Sequence, residues 1–204
     1  AHPDYRNELF ERAKDLGLER LTTLCSMCYN TLARANLLMR DDEEKRKTLN
    51  LFMDEETDYA GEVQVQHYLD FLHTDVGWDT LRSKVKVPLE GLRVAPYYGC
   101  TLLRPREVAI EAPDTPTLFN EFLAALGAEV VDFPEAQSCC SSYQILANQQ
   151  AAYEASGKVL RSATEHRAEA MVMSRPVCEY NLGRRQADVK AAQSGIETIP
   201  TFYF

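Results

Sequence analysis

The chain has 204 residues, 45% of them apolar, enough to bury a real core as one large or two small domains. A net charge of −9 and the lack of a dense Lys/Arg cluster argue against nucleic acid, whose phosphates need a basic face. No apolar run approaches the length of a membrane span and no secretory leader precedes the first helix. The expectation is therefore a reducing cytoplasm, where cysteines serve metal binding or catalysis rather than stapling a fold.

In chain order, Pro3 to Leu16 reads as an amphipathic helix (Leu9, Phe10, Ala13, Leu16) stopped at Gly17. Leu21 to Leu24 is a predicted strand delivering Cys25, and Tyr29 to Leu38 the helix after it. The charge-rich stretch from Arg40 to Glu56 reads as one solvated helix and a loop. His67 to Val85 reads as one or two helices with Trp78 and Leu81 on an apolar face, followed by a turn at Pro88–Gly91 and a strand over Leu92–Tyr98. The remainder alternates regularly. Helices are predicted over Pro116–Leu126, Tyr143–Arg167 and Glu179–Lys190, and strands over Glu129–Phe133, Ala170–Ser174 and Ile196–Phe204. Strand–loop–helix alternation at this pitch predicts an α/β fold of Rossmann-like modules with parallel sheets. Residues 1–87 form the remainder of one module plus a helical connection in this reading, and 88–204 form a second.

Six cysteines carry the functional signal. Cys25 and Cys28 form a CxxC, Cys100 stands alone, Cys139 and Cys140 are adjacent, and Cys178 closes the set. The alternation places them at the carboxyl ends of strands, where ligands of such sheets collect. Thiolates delivered from several element ends suit a metal or iron–sulfur site. Adjacent cysteines serve one small ion poorly, because successive side chains diverge, but each can take a different iron of a cluster. Zinc and plain buried packing remain the alternatives for that pair. At a strand-to-helix turn, Cys25–Cys28 would have thiolate favoured by helix N–H groups, and taken alone it also fits a thioredoxin-like dithiol. The four histidines (His2, His67, His73, His166) share no short metal spacing and read as surface or helix-face residues, His166 closing a long helix.

LTTLCSMCYNTLARA and VMSRPVCEYNLGRRQ align at an offset of 150 positions, with Cys28 on Cys178, Leu32 on Leu182 and Cys25 on Arg175. Two copies of one module explain this. The first copy's paired cysteines would then precede Ala1, and the aromatic ending IPTFYF also reads as cut, so the expectation is a longer polypeptide incomplete at both ends.

The stretches PYYGCTLLRP, APDTPTLFNEFLAALGAEVVDFPEAQSCC and RPVCEYNLGRRQ resemble the B subunit of heterodisulfide reductase. That protein is a member of the cysteine-rich (CCG) domain family, whose motif is a Cys, a distant CC pair and a final CxxC. CSMCYNTLARAN resembles the end of the family's first motif. The resemblance implies two α/β modules, each holding a non-cubane [4Fe–4S] cluster, with a disulfide substrate cleaved between them by two one-electron steps. It implies two partners in a complex, the iron–sulfur (C) and the flavin (A) subunits of such a reductase. On this reading Cys100, Cys139, Cys140 and Cys178 act catalytically through one cluster, and Cys25 and Cys28 close a second. Three departures qualify it: Arg175 replaces the first Cys of the second CxxC, Ser141 replaces the Gly that usually follows CC, and the first motif keeps only two cysteines. Arg175 could serve cluster sulfide or an anionic substrate, or mark the loss of a ligand. The competing expectation is a non-catalytic relay or scaffold with one ordinary [4Fe–4S] cluster or a structural zinc.

Overall fold

The computed structural model describes residues 4–52 and 58–204, so the expectations for His2, Pro3 and the end of the acidic stretch lie outside it. The chain divides into two compact units, Ala1–Tyr68 and Leu69–Phe204.

In the first unit, helix α1 (Asp4–Asp15) ends where Gly17 takes φ +68°, a conformation other residues rarely hold. Strand β1 (Arg20–Thr23), helix α2 (Ser26–Asp41) and helix α3 (Glu43–Asn50) follow. Asp42 caps α3 by accepting the Lys45 N–H at 3.0 Å, and α3 buries no residue, as its charge run predicts. From its sequence His67 is expected to open a helix. The residue instead ends a strand, β2 (Gln64–His67), which pairs in parallel with β1 from Arg20 opposite Gln64 to Thr23 opposite His67. Four residues of mixed polarity carry too little alternation to announce it. Phe10 stacks on Tyr59 at 5.0 Å between ring centres, and Leu32, Met39 and Val63 complete this core.

The next element is a helical turn, α4 (Tyr68–Phe71), that widens into a π-turn over Leu72–Val76, and helix α5 (Trp78–Lys84) of the second unit follows. Then come strand β3 (Arg93–Tyr97), helix α6 (Leu118–Ala125), strand β4 (Glu129–Val130), helix α7 (Gln149–Glu165), strand β5 (Ala170–Met173), helices α8 (Pro176–Glu179) and α9 (Gln186–Ala192), and strand β6 (Thr201–Tyr203). The sheet is wholly parallel in the order β4-β3-β5-β6. β3 is buried on both faces, as parallel strands between helices are. Ala95 and Tyr97 join the core with Val159, Leu160 and Met171, whereas Tyr98 meets Phe119 edge-on at 5.4 Å.

Several boundaries differ from the sequence expectation for local reasons. The helix expected from Tyr143 begins only at Gln149, because Asn148 caps it by accepting the Ala151 N–H, and Ser142–Leu146 form a 3₁₀ turn instead. The helix expected over Glu179–Lys190 starts at Pro176, the favoured first helical residue, and is split by a π-turn over Tyr180–Arg184. The strand expected to reach Phe133 stops after Val130.

Spatial order fixes where a ligand can sit. From β3 the chain steps outward to β4, then returns across β3 to β5, so the order reverses between β3 and β5. At such a reversal the loops leave the strands in opposite directions and open a crevice at their carboxyl ends. Leu160 is fully buried in the core beneath. Replacing Leu160 with Ala is expected to cost about 2–5 kcal/mol, whereas Ala at Leu146, 94% exposed, stays within about 0.5 kcal/mol; urea unfolding of the two variants checks the contrast.

Candidate metal centre

Three of the second unit's strands deliver its four cysteines to that crevice. β3 runs into Tyr97, Tyr98 and Gly99, whose φ of +62° turns the chain so that Cys100 follows. The Gly99 N–H donates to the Ala136 carbonyl at 3.0 Å, and the Tyr97 hydroxyl donates to the Ser138 carbonyl at 2.5 Å. Those bonds fasten the loop after β3 to the loop after β4, and the Cys100 and Cys139 sulfurs lie 3.8 Å apart. Cys178 sits in the first turn of α8, just past β5, and its sulfur is 3.4 Å from that of Cys140. The Cys140 carbonyl accepts from Asn181 Nδ2 at 3.2 Å and Ser156 Oγ at 3.4 Å, so helices on both sides hold the paired cysteines in place.

Ser141 explains why a glycine would suit the position after the pair. It adopts φ +53°, ψ +37°, the left-handed region, which lets its N–H turn back onto the Cys139 sulfur at 3.3 Å. The conformation is kept although the residue is not glycine.

The thiols share a field. Cys140 is drawn down to about 7, chiefly because the Cys178 S–H donates to it, with Tyr97 and Arg175 helping and burial opposing. Cys178 is pushed up by the same bond and by burial, so the shared proton stays on Cys178. Burial and then Cys139 push Cys100 up to about 11. Tyr97 is held well above the ordinary phenol range by burial and by all four cysteines. Burial and neighbouring sulfurs thus hold Cys100 and Cys178 toward the neutral thiol; Arg175 works the other way on Cys100, Cys140 and Cys178.

The surroundings fit a larger anionic group at the sulfurs. Ser142 Oγ, Ser174 Oγ and Arg175 Nε, each able to donate, are buried without a hydrogen-bond partner, and a native interior leaves few such atoms unexplained. Among the described residues, no group of three or more His, Cys, Asp or Glu is placed to hold one metal ion. The four sulfurs gather instead as two pairs, and four thiolates are the ligand number of an ordinary [4Fe–4S] cluster. Tyr97 packs directly into this site, whereas Tyr98 turns away, its hydroxyl accepting the Phe119 N–H at 3.0 Å. Sequence reasoning misses Asn181 and Ser156; an Asn one turn beyond Cys178, inside a helix it does not favour, is the signal that could have found the first.

The first unit repeats the local geometry. β1 spans Arg20–Thr23 and β5 spans Ala170–Met173, the same positions at the repeat offset. Cys25 caps α2 at φ −99°, ψ 122°, and Arg175 caps α8 at φ −139°, ψ 124°. Cys28 is exposed in the first turn of α2. One histidine departs from the surface expectation: His67 is fully buried, edge-on to Tyr29 at 5.8 Å, because it closes β2 rather than opening a helix. His166 does end α7, its Nδ1 2.7 Å from the Ser162 carbonyl.

Burial lowers His67 from its ordinary 6.5 to about 4, against a hydrogen bond with the Leu24 backbone. The unfolded chain takes up a proton below 6.5 that the folded chain refuses until about 4, so stability falls as pH drops across that window, by up to about 3 kcal/mol. Urea unfolding at a series of pH values is expected to show a shallower acid slope in His67→Gln than in the parent. At Ser141, Gly removes left-handed strain at some cost in chain entropy, so Ser141→Gly is expected to raise stability by about 0.5–1 kcal/mol, read from the urea midpoint.

Residues 94–183 match the family described as "Cysteine-rich domain", CCG. The 8-methylmenaquinol:fumarate reductase membrane anchor subunit of Wolinella succinogenes is 31% identical over 193 residues, covering 94% of this chain and 66% of that protein. The B subunit of the ferredoxin/F(420)H(2)-dependent CoB-CoM heterodisulfide reductase of Methanosarcina acetivorans is 29% identical, covering 90% of this chain and 62% of that protein. The chain thus spans somewhat less than two thirds of the length of both. The structure of a hypothetical protein from Helicobacter pylori superposes with a TM-score of 0.76 at 10% identity, covering 98% of this chain and 36% of that one, a likeness of fold alone. Among the described residues, no helix is long and apolar enough to cross a membrane. Residues 94–183, which carry Cys100, Cys139, Cys140 and Cys178, belong to the CCG cysteine-rich domain family, and the chain as a whole is similar to the heterodisulfide reductase B subunit.

Proposed function

We propose that the chain is a redox component of a cytoplasmic, heterodisulfide-reductase-like complex, in which Cys100, Cys139, Cys140 and Cys178 hold an iron–sulfur cluster at which a disulfide substrate is reduced. The convergence of four thiols at the reversal between β3 and β5 carries this reading. Reduction of a disulfide takes two electrons and two protons and yields two thiols; when bound, the cluster supplies electrons singly. The chain's own residues supply the rest. Its thiolates are ligands, Tyr97 packs against them and keeps water out, and Arg175 offers positive charge to an anionic centre. Cys25 and Cys28 would provide two ligands to a second cluster completed by further thiolates. Iron–sulfur and flavin subunits, as partners, would feed electrons to both.

One observation favours a second reading, an electron relay or scaffold. Arg175 stands at the backbone position where the first copy has Cys25, so this site offers one ligand fewer than its family's motif. Turnover of a disulfide with an artificial electron donor separates the two readings, since a relay shows none.

The first test is iron, sulfide and zinc content of anaerobically purified protein, with an electron paramagnetic resonance spectrum taken after oxidation with and without thiol. About four irons with matching sulfide at this site, a signal that changes with thiol, and severalfold loss of iron in Cys140→Ser are expected. Zinc alone, or no metal, overturns the catalytic reading and leaves a scaffold on a redox fold.

A further inference from the structure

Arg175 is 9% exposed, and its Nε has no hydrogen-bond partner. Among the described residues it has no carboxylate partner. A guanidinium stays charged at any pH a protein meets, and a buried unpaired charge is severely unfavourable. Its buried Nε is left without an acceptor, while the side chain borders an open cavity. Its place is fixed by backbone rather than chance. As the residue capping α8 it sits at the end of β5, its carbonyl accepting the N–H groups of Cys178 and Glu179 at 3.0 and 3.1 Å, so the cation and a ligand share one turn. The first copy puts Cys25 at the equivalent turn with similar dihedrals.

We propose that Arg175 is a built-in counter-charge, a guanidinium in the place of a fifth thiolate, that holds the four-thiolate site together and makes its cluster easier to reduce. The inference rests on the cluster reading above and deepens it: Arg175 is a positioning residue that acts through the sulfurs, not a ligand. Adding an electron makes a cluster more negative, and a fixed positive charge nearby stabilises that state more than the oxidised one. Exchanging a thiolate for a guanidinium also changes the local charge by two, so the two copies of the module would hold centres of different reducibility. Arg175 also lines a cavity of about 670 Å³ with Tyr143, Leu146, Val177 and Tyr180. A role confined to gripping an anionic substrate there is the competing use of the same side chain.

The test is a redox titration of the purified, cluster-loaded chain without substrate, followed by paramagnetic resonance and visible absorbance, for the parent, Arg175→Met, Arg175→Lys and Arg175→Cys. Arg175→Met is expected to shift the reduction equilibrium at least tenfold toward the oxidised form, about 59 mV for one electron. Arg175→Lys should lie near the parent, and Arg175→Cys should shift further and alter the spectrum. Circular dichroism and iron content of each variant separate this from unfolding. If Arg175→Met does not fold, Lys and Cys still bracket the charge, and equal midpoints in those two overturn the proposal. Unchanged midpoints in all three variants with full iron overturn it and leave the substrate role. A parent chain with no iron and sulfide overturns the cluster reading and this proposal together.

Discussion

A buried guanidinium with no carboxylate to meet it dictates much of the second unit's interior. Arg175 leaves its buried Nε without an acceptor, and its charge favours the thiolates of Cys100, Cys140 and Cys178. The sulfurs have the converse difficulty. Burial and mutual proximity push Cys100 and Cys178 toward the neutral thiol, and a source of positive charge opposes that push. Each side of the site makes the other tolerable. The Ser142 and Ser174 hydroxyls, buried without a partner, are donors that the chain by itself leaves unused.

The sheet makes this crowding geometrically possible. Three strand ends can meet only where the strand order reverses, and the order β4-β3-β5-β6 puts that reversal between the strand leading to Cys100 and the strand leading to Cys178. The paired cysteines come from β4, next to β3, and are drawn inward by the bonds from Gly99 to Ala136 and Tyr97 to Ser138. Hydrogen bonds between loops thus settle what side-chain packing alone would leave loose. The short β4 follows from this: after Val130 the chain must leave the sheet to carry Cys139 and Cys140 back across β3.

Much of this arrangement is legible in the residues themselves. Apolar runs such as Val94–Tyr98 and Ala170–Met173 announce buried parallel strands, and the glycines at 17 and 127 announce the ends of their helices. The cysteines' place near strand ends follows from that alternation. What periodicity does not carry are features decided by single polar atoms or by distant pairing. Asn148 breaks an otherwise continuous helical pattern by capping it, the π-turn over Tyr180–Arg184 carries Asn181, which bonds the Cys140 carbonyl, and β2 exists because β1 offers it an edge. His67 belongs to that last kind. Its burial depends on a strand that no local pattern shows, so the sequence places it on a helix face and the fold places it in the core.

The two copies of the strand–turn–helix element show what this backbone leaves free. β1 and β5 occupy equivalent positions, and both turns cap their helices in extended dihedrals, yet one carries a thiol and the other a guanidinium. A helix-capping residue of extended conformation projects its side chain ahead of the first turn, where the helix presents unpaired N–H groups and a positive dipole end. That setting favours an anion such as thiolate and offers nothing to a cation. Arg175 therefore sits at its own helix start against the local field, which neighbouring thiolates offset. A cation at so unfavourable a place gains from every thiolate the site can hold, and that electrostatic link ties Arg175 to the cysteines beside it.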